Sequence, residues 1–305
     1  MTEQEGSPLD AVAARVEQAR AVLSLPTLRR ATSLRDGLHA STLQGHGQDF
    51  DDLTLYTPGD DVGDIDWKSS ARTGVPVIKR FQRDASAPVL LVVDSGRTMA
   101  ATGASGETKA DIARHLAGIV GTLALDRGDP VGLIAGDAER LVRVPPRSGR
   151  ANLELMLRRL DEVLTTEGPA PDFGRVLHRV RALSRTPALI VLVTDAAALT
   201  PAQAPTITRL LGGRHRVVAL VVADADPLDP QAAPSQDVLD GWAVPGVLRG
   251  HRKAREALGR HRAEQTALRD GMLRRLGVPQ ATVFDTEHAI TALATALDRR
   301  RRGNR

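Results

Sequence analysis

Chemistry in this chain has to be sought among carboxylates and hydroxyls. It contains no cysteine, which excludes disulfide scaffolds, thiolate zinc sites, iron–sulfur clusters and thiol nucleophiles together. Two aspartates stand out by position. Asp94 follows the apolar, β-branched run Val89–Val93, and Asp195 follows Ala188–Thr194. In a doubly wound sheet, ligands collect at the carboxyl ends of strands where the winding reverses. Carboxylates that terminate two such runs are therefore candidates for one site. The hydroxyls of Ser95, Thr98 and Thr194 stand beside them, and a set of oxygens is what a hard cation such as Mg²⁺ prefers.

The remaining chemical signals are weaker. Gly103–Lys109 has the look of a phosphate loop but lacks the Gly-Lys-Ser/Thr order that brings backbone amides and the lysine onto phosphates. It reads as a loop in which Glu107 and Lys109 open a helix. The chain has no Gly-x-Ser-x-Gly elbow and no His-Glu-x-x-His pair. The eight histidines are scattered, so His115 and His178 read as structural. Asp49, Asp51, Asp52, Asp60, Asp61, Asp64 and Asp66 crowd into one acidic segment. Their spacing does not fit an EF-hand loop, and capping or pairing with Lys68, Arg72, Lys79 and Arg80 explains them better. Trp67, beside Ile65, is expected to plug the N-terminal segment onto the core.

The elements that must position Asp94 and Asp195 follow from hydrophobic periodicity. Strands are expected at Val89–Val93, Val131–Ile134, Arg140–Val144, Ala188–Thr194, Val217–Ala223 and Thr282–Phe284. Helices are expected at Thr108–Leu125, Asn152–Leu164, Phe173–Leu183, Pro201–Leu211, Arg249–Leu276 and Ala289–Arg301. Such alternation specifies an α/β, mostly parallel sheet with helices on both faces. Upstream, residues 9–23 read as an amphipathic helix ended by Pro26, and residues 27–85 as a polar, turn-rich stretch. The division is then 1–85, an appended segment packed on the core, and 86–305, the α/β domain with a basic tail.

At 305 residues, 42% of them hydrophobic and 26% charged, the chain is long enough for such a core. No apolar run approaches the roughly 20 residues of a membrane span, and Thr2–Glu5 lacks the basic-then-apolar order of a secretory signal. The cytoplasm is the expected location. The net charge of +4 is uneven. Residues 249–305 carry 14 Lys/Arg against 6 Asp/Glu, much of it in Arg299–Arg302 and Arg305. That tail admits nucleic-acid binding as an alternative, but with 2% aromatic residues there is almost nothing on which to stack bases.

Two sets of residues carry a family resemblance. Asp94-Ser95-Gly96-Arg97-Thr98, with Asp195 in Val193-Thr194-Asp195, resembles the metal-ion-dependent adhesion site of the von Willebrand factor A fold. The family pattern there is Asp-x-Ser-x-Ser, a later loop threonine and a final aspartate. Gly96 replaces the middle hydroxyl. Pro171 stands where the loop threonine is expected, and Thr165 and Thr166 are offset from it. The stretch Tyr56–Trp67, then Ser70–Gly74, Gly128–Leu133 and Pro145–Arg150, is similar to the bacterial family called domain of unknown function 58. The usual family arginines are replaced by Thr54 and Gly63.

The resemblance implies a von Willebrand factor A-like doubly wound sheet and a non-enzymatic protein-interaction module. It also implies an adaptor or co-chaperone role beside a MoxR-type AAA+ ATPase. The metal ligands carried over are Asp94, Thr98 and Asp195, holding Mg²⁺ weakly or not at all. Partner binding is assigned to the loops of Asp94, Arg97, Thr98 and Asp195. The rival reading is a metal-assisted hydrolase using Asp94 and Asp195, for which no nucleophile or general base is apparent.

Overall fold

The polar stretch ahead of the alternating elements contains a hairpin. Strand β1 (Phe50–Leu55) pairs antiparallel with β2 (Val77–Phe81), and the short helix α1 (Trp67–Thr73) lies between them in the chain. Asp66 caps α1 by accepting from the backbone N–H groups of Lys68 and Ser69, as expected of a carboxylate at a helix N-terminus. Gly74 ends α1 at φ 74°, a left-handed conformation open to glycine. Trp67 opens α1 and is not packed within this unit, since the helix buries no residue.

The computed structural model describes residues 50–56, 63, 65–81, 87–184, 186–231 and 236–302. They fall into two compact units, one within Leu28–Ser86 and the other containing Ala87–Arg305. The helix expected at 9–23 and the side chains of the acidic segment other than Asp66 lie outside the described residues.

The second unit is built on six strands: β3 (Val89–Asp94), β4 (Val131–Gly136), β5 (Leu141–Arg147), β6 (Leu189–Asp195), β7 (Arg216–Val222) and β8 (Gln280–Val283). They lie in the order β5-β4-β3-β6-β7-β8. All neighbours are parallel except β4 and β5. The helices are α2 (Lys109–Asp126), α3 (Arg150–Val163), α4 (Phe173–Leu183), α5 (Ala204–Gly212), α6 (Arg252–Arg275) and α7 (Ala289–Arg302). Every residue of β3, β4 and β6 is buried, the mark of strands covered on both faces. Successive side chains alternate between faces. Val89, Leu91 and Val93 accordingly join the core of α2, α3 and α7, whereas Leu90 and Val92 join that of α4, α5 and α6.

The strands and helices of this unit match the sequence reading to within a few residues. One difference is β5, which runs on through Pro145 and Pro146 to Arg147. Proline is tolerated there because β5 is an edge strand. Winding reverses at β3, which has β4 on one side and β6 on the other. The ends of β3 and β6 therefore flank the crevice where the sheet changes direction.

Candidate functional site

Asp94 ends β3 and is fully buried. One carboxylate oxygen accepts from the Gly96 backbone N–H at 2.8 Å, and the other from the Thr194 hydroxyl at 3.2 Å. These neutral donors do not offset desolvation. Burial, reinforced by the negative charge of Asp195, pushes its pKa from 3.8 up to about 7, against the opposing pull of Gly96, Thr194 and Lys109.

Asp195, one strand over, is held differently. Its Oδ1 accepts from the backbone N–H groups of Ala197 and Ala198, both at 3.0 Å. Its Oδ2 meets the Lys109 ammonium at 3.2 Å. Lys109 also bonds Asp224, just beyond β7. Burial pulls the lysine pKa down, but Asp195 and Asp224 outweigh it, and the net shift is upward. On the other flank, Asp137 follows β4 and accepts from the backbone of Glu139 and Arg140, the Arg140 guanidinium and the Ser95 hydroxyl. Those donors outweigh its burial and lower its pKa.

The loop after β3 is clamped onto the loop before α4. Arg97 N–H donates to the Pro169 carbonyl at 2.9 Å. Gly96 packs so closely on Pro171 that a Cβ there would lie 2.4 Å from Pro171 Cα, a separation no side chain tolerates. The close approach of the Pro171 backbone thus accounts for the missing side chain at 96. Thr166 turns its hydroxyl to Glu167 at 2.8 Å. Two polar atoms of the face, Arg97 Nε and Thr98 Oγ1, are buried with no hydrogen-bond partner among the described residues.

The geometry therefore brings Asp94, Arg97, Thr98 and Asp195 to one end of the sheet, but it does not fit Mg²⁺. That ion demands near-octahedral oxygen geometry. Here Asp195 is engaged at both oxygens, Asp94 accepts two hydrogen bonds, and Gly96 and Pro171 offer no hydroxyl. Among the described residues no group of three or more His, Asp or Glu could hold a metal.

Sequence reasoning missed Lys109 and Asp224 and read Asp137 only as a turn. The rule that selected Asp94 and Asp195 also selects Asp224, which follows the apolar run Val217–Ala223. Lys109 carried a signal of its own. It opens α2, where the helix dipole disfavours a cation, so an ammonium there calls for an anionic partner.

Strand order, the antiparallel β5 edge and an aspartate at the crevice define a von Willebrand factor A-like α/β protein. Within that class the chain belongs to the family described as "Protein of unknown function DUF58", whose model matches residues 52–234. It is 28% identical over 228 residues to an uncharacterized protein of Mycobacterium tuberculosis, covering 74% of this chain and 70% of that one. Among solved structures it is similar to an aerotolerance-related membrane protein from Bacteroides fragilis (16% identity, 70% of this chain and 99% of that one, TM-score 0.45). It is also similar to a von Willebrand factor type A protein from Catenulispora acidiphila (12% identity, 69% and 42%, TM-score 0.36). Among the described residues no helix is long and apolar enough to cross a membrane.

Proposed function

We propose that this chain is a non-enzymatic protein-interaction module whose recognition face is the set of loops carrying Asp94, Arg97, Thr98 and Asp195. The observation that carries this reading is the pair of orphaned polar atoms, Arg97 Nε and Thr98 Oγ1, in the loop at the winding reversal of the sheet. Unsatisfied buried polar groups are rare and costly in native proteins. A partner that draws this loop outward and supplies an acceptor to Arg97 and a hydrogen-bonding group to Thr98 removes that cost. Recognition is by shape and hydrogen bonds, without Mg²⁺.

Family resemblance supplies the partner class. It is a MoxR-type AAA+ ATPase, with this chain acting in the cytoplasm as adaptor or co-chaperone in assembling or remodelling a client complex. The test is affinity purification from the native cell, with and without ATP, followed by pull-downs with the recovered ATPase. Arg97→Glu is expected to abolish capture, and chelation of divalent cations from the nucleotide-free complex to leave it intact. Deletion of residues 301–305 is expected to have little effect at moderate salt. If the deletion abolishes binding and Arg97→Glu does not, the contact is electrostatic tethering by the tail and the face is misassigned.

A further inference from the structure

Among the described residues Lys109 is the most buried cation whose ion pairs join separate elements. Its side chain is 2% exposed, and its ammonium lies between Asp195 at the end of β6 and Asp224 beyond β7. It starts from the N-terminus of α2, on the positive end of the helix dipole. A lysine in that position is disfavoured locally and desolvated as well, so only the two carboxylates account for its charge.

We propose that the Lys109 ammonium is the resident cation of this site, a positioning residue that joins the β6 and β7 ends and makes the recognition face independent of divalent ions. It bridges carboxylates from two strand ends, the task a bound divalent ion performs in an oxygen-rich site. The second oxygen of Asp195 is taken by the Ala197 and Ala198 amides. Gly96 and Pro171 offer no side-chain oxygen to a cation. The charge is thus covalently attached, and the face is formed at any cation concentration.

This inference deepens the interaction reading, but its test needs no partner, so either can fail alone. The wild type, Lys109→Arg, Lys109→Ala and Lys109→Ala/Asp195→Asn are titrated with Mn²⁺ by calorimetry and by melting temperature. Removing the ammonium leaves Asp195 and Asp224 facing an open position, and one or two carboxylates with water suffice for weak binding of such an ion. Lys109→Ala is expected to gain a site with Kd below about 1 mM that the wild type and Lys109→Arg lack. About 10 mM Mn²⁺ should raise its melting temperature by roughly 4 °C, and that of the double variant by much less. Rescue by a cation is what a merely space-filling lysine does not give.

A folded Lys109→Ala that gains no Mn²⁺ site relative to the wild type overturns the proposal. So does wild-type Mn²⁺ binding that Asp94→Ala removes. Should Lys109→Ala prove insoluble, recovery on refolding with Mn²⁺ supports the proposal, and failure to recover sinks it.

Discussion

Three neighbouring strand ends carry buried aspartates, and they are treated unequally. Asp137 beyond β4 has the Arg140 guanidinium, and Asp195 at the end of β6 has the Lys109 ammonium. Asp94, between them at the end of β3, has among the described residues only a backbone amide and a hydroxyl as hydrogen-bond partners. The flanks are thus neutralised from within the chain, while the centre keeps a carboxyl lifted to about 7. A buried charge without a counter-ion is costly, so the unequal treatment marks where the fold has given up stability. The two orphaned polar atoms belong to the loop that follows Asp94.

The sharpest way to break this comparison is to strip one flank. Lys109→Met strands Asp195 and leaves Asp224 unpaired, and breaking a buried pair by removing one partner costs about 3–5 kcal/mol. Denaturant unfolding should show that loss, with Lys109→Arg retaining much of the stability. A loss under about 1 kcal/mol would mean that the ion pairs do not hold the β6 end.

Next in size is Gly96→Ser, which drives a Cβ into the Pro171 backbone and is expected to cost roughly 1–3 kcal/mol through overpacking. In the double variant Gly96→Ser/Pro171→Thr the loss is expected to persist, because threonine keeps the Cα, Cβ and N atoms that the new Cβ meets. Rescue by Pro171→Thr would show that the proline ring, not the backbone, holds position 96 to glycine.

Asp94→Asn tests the centre. An acid whose native pKa exceeds its unfolded value holds a proton that the unfolded chain has already released. Native stability from this group therefore falls as pH climbs from about 4 to about 7 and stays low above it. The neutral isostere is expected to stabilise by about 1–2 kcal/mol at pH 8, less than the full shift implies because the amide loses an acceptor. The gain should vanish near pH 4. A gain that does not depend on pH would show that Asp94 is not the titrating group.

The smallest stability effect is expected for Arg97→Glu. Its Nε makes no hydrogen bond among the described residues, so the change breaks no bond of that atom and stability should move by less than about 1 kcal/mol while partner capture is lost. A large destabilisation would assign Arg97 to the fold instead of to recognition.

The alternation of apolar runs and amphipathic helices determined the sheet, its two covered faces and the placement of Asp94 and Asp195 at strand ends. Those are local properties, written in periods of 2 and 3.6 residues. The same rule reached Asp224 in principle, and the loss of hydroxyls at Gly96 and Pro171 was readable as two separate departures from a family pattern. That they are one contact could not be read, because residues 96 and 171 meet only when the loops after β3 and before α4 converge. Lys109 was equally opaque. Its charge is paired across 86 residues to Asp195 and 115 to Asp224, and ion pairing has no periodicity in sequence. Sequence fixes which side chains a strand or helix can offer. Which charges end up neutralised depends on distances that exist only after the sheet has assembled.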